Sequence, residues 1–61
     1  MKEFLVTNVT TGDEEFYEAS YFILKDGVYL IIRRDKDDPN MCYTILGVPA
    51  NSYAIKLIEQ I

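Results

Sequence analysis

Sixty-one residues suffice for one domain and leave no room for a second core. Ten acidic against six basic side chains give a net charge of −4, which repels a phosphate backbone and disfavours nucleic acid as a partner. The absence of histidine and the single cysteine remove the commonest general base and any intrachain disulfide.

Residues 3–9 alternate, with Phe4, Val6 and Asn8 on one side and Leu5, Thr7 and Val9 on the other, and predict a first strand. Thr10-Thr11-Gly12-Asp13 supplies the turn that follows, Gly12 by its tolerance of positive φ and Asp13 by bonding nearby backbone. From Glu15 the alternation resumes, Tyr17, Ala19 and Tyr21 against Phe16, Glu18 and Ser20, then gives way to the continuous apolar stretch Tyr21-Phe22-Ile23-Leu24. That change predicts a long second strand bent at Ala19-Ser20, where inward and outward positions are reassigned.

Asp26-Gly27 between two β-rich runs predicts a primed hairpin turn. The third strand, residues 28–34, puts Val28, Leu30 and Ile32 on one side and Tyr29, Ile31 and Arg33 on the other. Residues 35–40 are polar or turn-forming and include a proline, so they form an exposed loop. Residues 41–48 alternate as a fourth strand, which Pro49-Ala50-Asn51-Ser52 ends.

Residues 53–61 admit two readings. Ser52 can cap a helix over 52–61 with Ala54, Leu57, Ile58 and Ile61 on its apolar face, giving a four-stranded sheet plus a C-terminal helix. Read as a strand, Tyr53, Ile55, Leu57 and Ile61 share a face. So short a terminal helix is marginal alone, and a strand after a short helical turn at 49–53 is preferred.

The apolar run at the N-terminus spans only Phe4-Leu5-Val6, short of a secretory core, and no run approaches the roughly 20 residues that cross a bilayer. With one cysteine, the expected setting is the reducing cytoplasm.

Five short strands, a bent second strand, a central hairpin and a single turn before the last strand resemble the SH3-like small barrels. The stretch Ile45-Leu46-Gly47-Val48-Pro49-Ala50-Asn51-Ser52-Tyr53-Ala54-Ile55-Lys56-Leu57-Ile58-Glu59 resembles small bacteriophage- and prophage-encoded β-meander proteins. The resemblance implies a mostly β, five-stranded barrel or curled antiparallel meander. It carries over no catalytic or binding residue, and the lack of any tryptophan argues against the peptide groove of SH3 domains.

Cys42 has no imidazole to activate it and is expected as a small buried hydrophobe. Asp35, Asp37 and Asp38 begin like a calcium loop, but positions six and twelve hold Asn40 and Leu46 where glycine and glutamate are needed. No catalytic residue, metal or cofactor is therefore expected. The two acidic clusters, Asp13, Glu14, Glu15 and Glu18, and Asp35, Asp37 and Asp38, read as solvated turns or, if they share a face, as a patch for a basic protein surface. Arg33 or Arg34 is expected to pair with an acid of a neighbouring strand.

Five tyrosines exceed what so small a core can hide, and Tyr17 and Tyr29 are candidates for partner contact. A third strand apolar on both sides leaves one face without a second layer. Tyr29, Ile31 and Arg33 are assigned to that face, and a homodimer through it or through an edge strand would cover the surplus apolar surface. The leading expectation is a non-enzymatic, phage-type acidic protein that binds and modulates or inhibits a host or defence protein. A self-association module is the alternative, and an SH3- or OB-like nucleic-acid binder comes third.

Overall fold

A computed structural model describes residues 1–60. Six strands follow one another: β1 (Lys2–Asn8), β2 (Glu14–Ala19), β3 (Tyr21–Lys25), β4 (Val28–Arg34), β5 (Cys42–Pro49) and β6 (Tyr53–Gln60). They form two antiparallel three-stranded sheets, β2-β1-β6 (sheet A) and β3-β4-β5 (sheet B). The narrowest dimension, 12 Å, is that of two layers stacked about 10 Å apart.

The predicted second strand is two strands. Ser20 separates them, its N–H bonded to the Ile32 carbonyl at 2.9 Å and its Oγ accepting the Arg34 N–H at 3.0 Å. Ala19, fully buried at this corner, leaves room for the chain to pass from sheet A to sheet B. A five-strand count thus becomes six, and the two sheets do not close into a barrel.

The hairpin between β3 and β4 forms where Asp26-Gly27 predicts it, with φ of 52° at Asp26 and 76° at Gly27, the left-handed pair that a type I′ turn requires. Between β5 and β6 there is no helical segment. Residues 50–52 make one hydrogen-bonded turn, Ser52 N–H to the Pro49 carbonyl at 3.1 Å, while the Ala50 N–H reaches back to the Gly27 carbonyl at 2.8 Å. The C-terminal helix alternative also fails, because β6 pairs with β1 from Asn8↔Tyr53 to Lys2↔Gln60. Ile61, assigned above to a face of that strand, lies outside the described residues.

The core is Phe4, Val6, Ala19, Ile31 and Val48, ringed by Tyr17, Phe22, Tyr29, Ile45, Leu46, Tyr53 and Ile55. This overturns the assignment of Tyr29 and Ile31 to an uncovered face. Ile31 has 0% exposure and opposes Phe22 and Leu46 inside the sandwich, and Tyr29 packs edge-on against Phe22 with ring centres 5.9 Å apart. Both apolar sides of β4 looked equivalent in sequence, and sheet B turns inward the side that meets Phe4 and Val6.

Candidate functional site

Because the sheets splay instead of closing, inward-facing side chains at one end of the sandwich line an open cleft of about 220 Å³. Strand register explains the lining. Val6 opposes both Glu15 and Ile55, Phe4 opposes Tyr17, and Asn8 opposes Tyr53, so the polar ends of these rows project into the inter-sheet space. Leu46 and Val48 of β5 form the far wall, and Asp13 enters from the β1–β2 loop.

That loop is organised by a residue overlooked in the sequence. Asn8 accepts the N–H groups of Thr10 and Thr11 on its Oδ1 at 2.9 and 3.2 Å, and its carbonyl takes the Gly12 N–H at 2.7 Å, Gly12 having a φ of 81°. Its Nδ2 donates to the Tyr53 hydroxyl oxygen at 3.3 Å. Asn8 thus shapes the acidic loop and holds a cleft tyrosine whose own hydroxyl proton is left to donate elsewhere.

Tyr17 donates a hydrogen bond to Glu15 Oε2. That bond, then desolvation, then the Glu15 charge raise the phenol above its ordinary value of 10.0. Glu15 Oε1 has no partner among the described residues. Asp13 Oδ2 accepts the Thr11 hydroxyl at 3.0 Å, and its other oxygen is likewise open. Among the described residues no acidic side chain is paired with a lysine or arginine, so the cleft's two carboxylates act outward uncompensated.

A folded-state value above the unfolded one means that Tyr17 contributes stability fully below about pH 10, and loses it as pH rises through the folded value. Tyr21 acts in the same sense, its phenol raised chiefly by the neighbouring Cys42 thiol and then by desolvation, against the lowering effect of Arg34. Tyr17→Phe should therefore flatten the alkaline loss of stability without abolishing it, and Glu15→Gln should bring Tyr17 back toward the ordinary value. Spectrophotometric titration near 295 nm with urea melts from pH 8 to 11 checks both; unchanged slopes would refute them.

The remaining candidates are dispersed. Glu14 and Glu18 alternate with Glu15 and Tyr17, so they lie on the outer face of sheet A, where Glu18, Glu3 and Glu59 form one row across three strands. Glu3 and Glu59 escape sequence reading because only the register brings them beside Glu18. Asp35, Asp37 and Asp38 lie at the opposite end of β1, about 20 Å of strand away, near Met1 and Arg34. The two acidic clusters are not one patch. Asp35 and Asp38 are also occupied as turn formers, accepting the N–H groups of Asp37 at 2.8 Å and Asn40 at 3.1 Å.

Arg33 does not pair with a carboxylate. It donates Nε and Nη2 to the Glu18 main-chain carbonyl at 3.1 and 2.6 Å, clamping the corner between the sheets. Arg34 lies over the Tyr21 ring, 5.8 Å from its centre. Cys42 is exposed, not buried, as an edge-strand residue opposite Arg34. Among the described residues no three His, Cys, Asp or Glu gather as a metal site, and no helix is long and apolar enough to cross a membrane. No protein-family model, curated protein or solved structure matches this chain.

Proposed function

We propose that this chain is a non-enzymatic protein-interaction module that binds a basic host protein in the cytoplasm and modulates or inhibits it. The observation that carries the reading is the open cleft in which Tyr17 and Tyr53 stand beside the uncompensated carboxylates of Asp13 and Glu15. A space of 220 Å³ is smaller than the roughly 300–1,000 Å³ of drug-sized ligand sites, and it suits one inserted side chain. Tyrosine faces and two open carboxylate oxygens favour a cation there, while Val6, Leu46 and Val48 receive its methylene stem.

A kinship with phage-type proteins of SH3-like strand order, without barrel closure, remains the proposed one. Its support is the pairing: β1 lies between β2 and β6, and β2 runs through a corner at Ser20 into β3, which continues the order to β4 and β5.

A tagged copy is expected to retain one basic host protein at about 0.15 M salt. The paired reversal Asp13→Lys and Glu15→Lys should weaken that complex by about 30-fold or more, the order expected when a contacting charge is lost. Asp37→Lys, at the far end, should change it less than about 3-fold. Equal effects of the two variants, or single-stranded nucleic acid retained in place of protein, would overturn the reading.

A further inference from the structure

The outer faces of the two sheets differ in kind. On sheet B the outward rows are Lys25-Val28-Pro49, Ile23-Leu30-Gly47 and Tyr21-Ile32-Thr44. Ile32 is only 8% exposed yet stands outside the core cluster, and Gly47 leaves room beside Leu30, whose Cδ2 is 3.3 Å from where a Cβ would sit. These paired rows form an apolar strip with cations, Lys25 and Arg34, at its two ends, and no carboxylate stands within them. On sheet A the outward rows are Glu14-Thr7-Ala54, Phe16-Leu5-Lys56 and Glu18-Glu3-Glu59. Here Phe16, 61% exposed, and Leu5 form an apolar centre with Lys56 at one end of its row and glutamates Glu14, Glu18, Glu3 and Glu59 around it, so acids outnumber bases on this face.

These faces complement each other in charge and in their apolar centres better than either complements itself. Two sheet A faces brought together, each with four glutamates against the single Lys56, carry a net repulsion, and two faces with cationic ends gain no ion pair. They also lie on opposite sides of a molecule 12 Å thick. We propose that the outer face of sheet A in one copy of this chain stacks on the outer face of sheet B in the next, a heterologous contact that continues head to tail. Phe16 and Leu5 cover Ile23 and Leu30, and the glutamates meet Lys25 and Arg34. Because the two faces are antipodal, the contact propagates as an open stack and does not close as a two-fold dimer.

The test uses two exposed positions, so that folding is preserved. Ile23→Asp places a carboxylate against the glutamates, and Phe16→Lys places a cation against Lys25 and Arg34; far-UV circular dichroism confirms the fold of each. In sedimentation the parent chain should exceed twice the monomer mass as concentration rises, and each variant alone should stay monomeric. An equimolar mixture should reach a 1:1 heterodimer and stop there, since each variant keeps one intact face. A parent that stays monomeric overturns the proposal. So does one that halts at a dimer sensitive to Ile23→Asp but indifferent to Phe16→Lys, or a mixture that fails to pair.

Discussion

Replacing Phe4 with alanine should leave the protein largely unfolded at 25 °C. Phe4 is 3% exposed and belongs to sheet A, but its ring meets Phe22 of sheet B edge-on, centres 5.5 Å apart at 85°, and Phe22 meets Tyr29 in turn. This aromatic chain joins two sheets that no closing strand holds together. Phenylalanine-to-alanine changes in cores cost about 3–5 kcal/mol. A single core in a chain below about 70 residues rarely supplies more than that in total. Urea unfolding followed by circular dichroism should show the midpoint lost, while Phe16→Ala on the outer face should shift stability by only about 0.5 kcal/mol. A Phe4→Ala midpoint near that of the parent would mean that the sheets are held together elsewhere.

The main-chain route was legible wherever one residue type had only one physical use. Asp26-Gly27 marks a left-handed turn because few other pairs tolerate two positive φ angles, and the change of pattern at Ala19-Ser20 marks the corner because a residue buried on both sides must be small. The strand character of residues 53–60 could be read from Tyr53 and Ile55 recurring every second position. What escaped reading depends on pairing between distant strands. The Glu18-Glu3-Glu59 row requires β1 to lie between β2 and β6, and Tyr53 reaches the cleft only because it opposes Asn8 from 45 positions away. Of the acidic candidates, Asp13 and Glu15 reach the cleft with Tyr17, whereas alternation sends Glu14 and Glu18 to the other side of the same strand.

The clearest ambiguity was β4, and it sets the second large effect. Ile31→Ala is expected to cost about 2–5 kcal/mol, enough to unfold most of a chain this small. Ile31 has no exposed surface and opposes Phe22 on one side and Leu46 on the other, so its removal leaves a cavity between the sheets that rigid strand neighbours cannot fill. Leu30, one position earlier, points the opposite way beside Gly47, and Leu30→Ala should cost clearly less, because its side chain is half-buried and water can fill the space. The contrast reads strand orientation directly, since neighbouring residues of a strand face opposite sides. Had Ile31 faced a second copy, its truncation would alter association and spare the monomer. Chemical denaturation at low protein concentration separates the two cases: a midpoint lowered for Ile31→Ala and unaffected by dilution places the side chain in the core, and a midpoint that falls only on dilution would return it to an interface.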